Sequence, residues 1–173
     1  GLSGTWKTTV SGDARDYDID AQATGKDMAS VQGSLSASDV PPHLVLAMLL
    51  GNMNRSDAEP LLRKSTLRGL KIRYEDRSFL TRVINGESVR QGIDVARFTR
   101  ERVETMRHEF RDFDGMKAYE QGIAGYGTFL ADPRSFGVEL KPPAPLPGAV
   151  ILDAMQTPSV LLYVLGPNFD ANR

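Results

Sequence analysis

The chain has 173 residues, of which 40% are hydrophobic and 25% charged, with no cysteine and a net charge of −1. That length can bury about two-thirds of its unfolded surface around one core, and that composition excludes a disordered chain. Without cysteine there is no disulfide framework, no thiolate metal site and no Cys nucleophile. The charge is uneven: residues 61–111 carry 13 Lys/Arg against 7 Asp/Glu, and the remainder carries 8 against 15. Either the two regions face each other in the fold, which near-zero totals favour, or the basic stretch meets an anionic partner.

The N-terminal third alternates with period two. Trp6, Thr8 and Val10 share one face, as do Tyr17, Ile19, Ala21 and Ala23 opposite Asp16, Asp18, Asp20 and Gln22. A third run sets Ala29, Val31, Gly33, Leu35 and Ala37 opposite Ser30, Gln32, Ser34 and Ser36. These are strands with one wet face, and the short separators 11–15 and 25–27 make them an antiparallel meander over about 4–38. Pro41-Pro42 should stop the third strand, and Leu44 to Met53 reads as a short helix.

Farther on, Leu70, Ile72 and Tyr74 alternate with Lys71, Arg73 and Glu75, while Leu67 is out of phase, so Gly69 marks a bulge. Phe79, Leu80, Val83 and Ile84 predict a helix ending near Gly86 or Gly92. Asp94 is a good N-cap for a helix carrying Val95, Phe98, Met106, Phe110 and Phe113, and Met116, Tyr119, Ile123, Tyr126 and Leu130 repeat the pattern up to Asp132-Pro133. Together they predict a helical hairpin over about 94–131. Phe136, Val138 and Leu140 form another strand; a Pro-rich turn from Pro142 to Pro147, a helical stretch from Ala149 to Gln156 and a last strand from Val160 to Leu165 follow.

The expected fold is therefore a single α+β domain spanning 1–173. Its antiparallel twisted sheet has five or six strands, with helices on one face and strand-helix units over about 43–169. A loose strand-then-helix repeat recurs at Gly33 to Leu50, Gly69 to Ile84 and Gly137 to Ala154. The expected core holds Trp6, Ile19, Val31, Leu35, Leu46, Leu70, Ile72, Tyr74, Phe98, Phe110, Ile123, Phe129, Val138, Leu140 and Leu162. Phe98 and Phe110 are alternatively the wall of a ligand groove.

The chemistry-bearing motifs fail on their spacing. Gly122, Gly125 and Gly127 stand in the wrong order for a dinucleotide fingerprint and lie inside an amphipathic helix, where close packing explains them. Gly25-Lys26 lacks the upstream Gly of a phosphate loop. Asp16, Asp18 and Asp20 open like a calcium loop, but Ala21 stands where Gly is needed and Asp27 where Glu is usual, so a solvated carboxylate row is the better reading. His43 and His108 sit in no ligand or triad spacing. Arg97, Arg100, Arg102, Arg107 and Arg111 could meet an acidic partner, yet Glu101, Glu104 and Glu109 interleave with them as on an ordinary laced helix surface. No catalytic residue, cofactor or metal is assigned, and the aromatic residues do not interleave with the arginines as a nucleic-acid platform requires.

The longest apolar run, Leu44 to Leu50, is too short to span a membrane, and the start at Gly1-Leu2-Ser3 suggests a piece of something longer. Leu70 to Leu80, then Phe129-Leu130-Ala131-Asp132-Pro133-Arg134-Ser135-Phe136, then Pro142 to Pro147 resemble exported proteobacterial envelope proteins of uncharacterised function. The strand ending Tyr74-Glu75-Asp76-Arg77 is similar to segments of large AsmA-like and YdgA-like repetitive proteins. That resemblance spans about 66–169. It implies a periplasmic or envelope location and sheet-and-helix units lining a lipid-facing surface, and it brings no catalytic residues. Three functions follow as expectations: a non-enzymatic envelope module that binds a lipid-like or apolar small molecule, or packs into a larger assembly, through a sheet-helix groove; a protein-interaction domain using the arginine face; or an enzyme with a dispersed site marked by perturbed carboxylates in a deep cleft.

Overall fold

The computed structural model describes residues 6–11, 16–41 and 55–173. The helix expected from Leu44 to Met53 lies outside these residues, as do Leu46 and His43. So does the side chain of Trp6.

Three strands open the described chain: β1 (Trp6–Ser11), β2 (Tyr17–Gly25) and β3 (Ala29–Ser38). They pair antiparallel in the expected register, with Ala21 opposite Gly33 and Ile19 opposite Leu35. Helix α1 (Arg55–Leu62), which the sequence pattern did not suggest, leads into the long strand β4 (Thr66–Asp76). Against β3 the pairing slips by one residue: Ser36 faces Gly69 and Ala37 faces Leu67, which leaves Arg68 as the extra residue of the bulge.

Three helices follow: α2 (Phe79–Gln91), α3 (Val95–Glu109) and, after a single 3-10 turn at Arg111–Phe113, α4 (Lys117–Ala131). Helix α2 runs through Gly86 and stops at Gly92, whose φ of 66° a side chain would resist. Asp94 caps α3 as expected, its Oδ1 accepting the Arg97 N–H at 2.7 Å. β5 (Ser135–Leu140) pairs with β4, and the two-residue β6 (Leu146–Pro147) pairs with the start of β4 at Thr66 and Leu67.

The C-terminal stretch differs from expectation. Val160 to Leu165 is not a strand: it belongs to helix α6 (Pro158–Leu165), which follows helix α5 (Gly148–Ala154), and the last strand is β7 (Pro167–Ala171), which pairs with β5. A short, wholly apolar run has no periodicity to separate strand from buried helix. Gly166 decides the matter, ending the helix in the left-handed conformation at φ 53°. The sheet order is β1-β2-β3-β4-β5-β7, entirely antiparallel, with the helices layered on its apolar face.

One face of that sheet is apolar in continuous cross-strand rows. Ala23, Val31, Tyr74, Phe136 and Ala171 form one row, and Ala21, Gly33, Ile72, Val138 and Phe169 the next. Helix α4 lies over the β5–β7 end of these rows. A Cβ on Gly122 would come within 3.1 Å of the Phe169 ring and one on Gly125 within 3.5 Å of Phe136, so the glycines let the helix settle onto the aromatic side chains. Phe129 meets Tyr74 edge-on at 5.8 Å between centroids and Phe136 at 5.5 Å. Ile84, Phe98 and Leu130 then join α2, α3 and α4 into one buried cluster.

A second cluster sits at the other end of the meander, where Ala37 and Val40 pack with Tyr17, Ile19, Leu61 and Leu62. Between the two clusters the sheet lies open. Val31 is 42% exposed and Ile72 46%, which corrects their expected place in the core. Phe110 is also exposed, because α3 ends at Glu109 and leaves the ring beyond the helical stripe. Phe98, Ile123 and Phe129 are buried as expected.

Candidate functional site

The open strip ends at a hollow of about 350 Å³ lined by Ala23, Thr24, Gly25, Met28, Ala29, Val31, Tyr74 and Phe79. No charged side chain lines it. Its shape follows from small residues: Ala21, Ala23 and Gly33 raise almost nothing above the sheet, so Val31 and Ile72 stand beside a shallow channel. The wall is the start of helix α2, which supplies Phe79 to the lining; Phe79 and Val83, four residues apart on the helix, are both over 40% exposed.

Two local devices fix that wall. The β2–β3 turn closes with the Met28 N–H on the Gly25 carbonyl at 3.2 Å, and Asp27 takes the left-handed conformation that Asp tolerates, at φ 55°. The Met28 carbonyl then accepts the N–H groups of Arg77, Ser78 and Phe79 at 2.9, 3.2 and 3.1 Å. Ser78 Oγ donates to the Asp27 carbonyl at 2.7 Å. The turn is therefore bolted to the start of α2, and Met28 and Phe79 are held side by side over the sheet.

The second device is Asp76. Its carboxylate accepts the Leu80 N–H at 2.8 Å, the Tyr74 hydroxyl at 2.7 Å and the Thr81 hydroxyl at 3.1 Å. Burial alone would raise this carboxyl, but those donors hold it below its ordinary value. Burial, followed by the hydrogen bond to Asp76, pushes the Tyr74 hydroxyl up. The ring of Tyr74 thus presents carbon to the hollow while its one polar atom is occupied elsewhere.

The opposite face of the sheet is polar. Its larger, open basin of about 490 Å³ is lined by Asp20, Gln22, Gln32, Ser34, Lys71 and Arg73 among others. Arg73 there is already engaged, donating to Glu75 at 3.3 Å, to Ser135 Oγ at 3.1 Å and to the Arg173 carbonyl, with Asp170 at 3.5 Å. Asp18 and Asp20 are exposed on the same face and Asp16 accepts from Arg68 at 3.3 Å, as a solvated carboxylate row.

The arginine run is laced only in part: of the interleaved glutamates Glu101 alone takes an arginine, and Arg107 pairs with the next helix instead. Arg97 donates to Glu101 at 2.8 Å, Arg107 to Glu120 at 3.1 Å, and Arg102 lies 5.0 Å over the Phe98 ring. His108 is exposed on α3. Among the described residues no three His, Cys, Asp or Glu gather as a metal site, and no helix is long and apolar enough to cross a membrane. Among the described residues the carboxyls held away from their ordinary value, Asp76 and Glu87, are both lowered, Glu87 by its hydrogen bond to Arg90.

Sequence reasoning named Val31, Ile72 and Tyr74 as core and missed Met28 and Phe79 as wall residues. The signal was present in the meander: the apolar face of β2 ends in Ala21 and Ala23, too small to support a helix layer over that part of the sheet.

Fold and site together define an α+β protein whose helices cover only part of one sheet face and leave an apolar groove beside it. A family model described as an uncharacterized protein matches residues 22–172, and the chain belongs to that family. No curated protein and no solved structure matches it.

Proposed function

We propose that this chain is a non-catalytic module that binds a lipid-like or apolar molecule along the uncovered part of its sheet. The observation that carries the reading is the groove of Ala23, Met28, Val31, Tyr74 and Phe79, with Ile72 and Val83 continuing its exposed apolar surface. Apolar area kept in water costs about 25 cal/mol per Å², so an apolar occupant gains where a polar one does not. The resemblance of Leu70 to Leu80 and of Phe129 to Phe136 to exported envelope proteins supports an envelope location for such a module.

Native mass spectrometry of the purified chain, with solvent extraction of copurifying material, tests this. A lipid-sized adduct at fixed stoichiometry that Val31→Asp removes is the expected result. A bare mass of 19.0 kDa, even after incubation with a membrane lipid extract, overturns the proposal.

A further inference from the structure

The polar face of the sheet carries its charges in columns. On β2 that face holds Asp18 and Asp20, and on β3 only the neutral Ser30, Gln32, Ser34 and Ser36. On β4 it holds Lys71 and Arg73 ahead of Glu75, with the bulged Arg68 reaching Ser36 and Asp16 on the same side. Asp18, Asp20 and Lys71 are exposed. None of these three forms an ion pair among the described residues, and Lys71 forms none even with Glu139, its cross-strand neighbour on β5.

These columns also share rows. Asp20 is paired with Ser34, and Ser34 with Lys71, so the three stand in line across the strands. Gln22, Gln32 and Arg73 form the next row, and Thr24, Ser30 and Glu75 the one beyond. Neighbouring strands lie about 4.8 Å apart, which sets the acidic and basic columns about 10 Å from each other with β3 midway. Asp20, Ser34 and Lys71 together line the open basin on this face.

A two-fold axis laid along β3 makes this pattern self-complementary. Rotation about it carries β2 of one copy over β4 of the other without shifting either along the strands, so rows stay in register. Asp20 of each copy then meets Lys71 of the other, Gln22 meets Arg73, and Thr24 meets Glu75. Residues on the axis meet themselves, where a charge would repel its own copy; β3 places Gln32 and Ser34 there, and both can donate and accept. Packed sheets lie about 10 Å apart, a gap that Asp and Lys side chains from opposite faces close together. We propose that the chain forms a two-fold dimer through this polar face, its partner a second copy of itself and its central contact Asp20 with Lys71, made twice. The interface is wet and held by complementary charge, which makes it weak and salt-sensitive. It uses the face opposite the apolar groove and stands apart from any ligand bound there.

Sedimentation equilibrium at low salt, with protein up to about 1 mM, tests this on wild type and on the variants Asp20→Lys and Lys71→Glu. Circular dichroism checks that the variants fold. Wild type should dimerise, and each reversal should weaken dimerisation about tenfold or more, because symmetry repeats the repulsion. An equimolar mixture of the two variants should restore the dimer, since one then presents cations at both positions to a partner with anions at both. A wild type that stays monomeric throughout, a dimer that both reversals leave intact, or a mixture that fails to associate overturns the proposal. Should either variant fail to fold, the salt dependence of the wild-type dimer serves instead, and an affinity indifferent to salt overturns it. Lipid retention in the groove is read separately, so either proposal can fail while the other stands.

Discussion

Two isoleucines separate an open sheet from a covered one. Ile84 is 3% exposed inside the α2–α3–α4 cluster, whereas Ile72 is 46% exposed in the centre of the sheet. Truncating Ile84 to Ala removes fully buried carbon and leaves a cavity, so it should cost about 3 kcal/mol, within the usual range of 2–5. Ile72 retains about half of its surface in water and can leave no closed cavity. Its truncation should cost about 1 kcal/mol, including a few tenths for lost strand preference. Urea unfolding followed by far-ultraviolet circular dichroism reads both, as shifts in the midpoint at constant slope. A cost for Ile72→Ala equal to that for Ile84→Ala would mean that the strip is covered in solution, and would refute the groove.

Three further outcomes follow from the same contacts. Asp76 has a folded pKa below its ordinary 3.8, so its stabilising effect is present above about pH 4 and is lost as pH falls through the lower folded value; Asp76→Asn should flatten stability measured from pH 5 to 2. A Cβ on Gly148 would stand 1.8 Å from the Leu62 carbonyl oxygen, a backbone atom that cannot rotate away, so Gly148→Ala should cost about 3 kcal/mol or more in chemical denaturation. A Cβ on Gly137 would meet Asp170 Oδ1 at 2.4 Å, and that oxygen is buried without a hydrogen bond. Gly137→Ala should therefore destabilise by about 1–3 kcal/mol and Asp170→Ala should relieve part of it, giving a double variant more stable than the sum of the single costs.

The meander, the bulge and the helical hairpin were legible because alternation and caps are local. Asp94, Gly92 and the out-of-phase Leu67 each announce a boundary within a few residues. Helix α6 was not legible, since Val160 to Leu165 is apolar at every position and only Gly166 distinguishes the outcomes. The candidate site was half legible. Val31, Ile72 and Tyr74 were recognised as one face, but whether a helix covers them depends on where α4 lands, and that is set by Phe136 and Phe169 far along the chain. The same blindness applies to Met28 and Phe79, which meet through three backbone donors on a single carbonyl across about fifty residues of sequence.

A competing apolar surface makes the location of binding the sharpest question. The α5–α6 pair exposes Val150, Met155, Val160 and Tyr163, the last at 83%. Methyl nuclear magnetic resonance on Ile-, Val- and Met-labelled protein, with dodecanoate added below its aggregation limit, distinguishes the two places. The groove account predicts saturable shifts at Met28, Val31, Ile72 and Val83 with Val150, Met155 and Val160 unmoved. Shifts confined to Val150, Met155 and Val160, or no saturable shift at all, would contradict it.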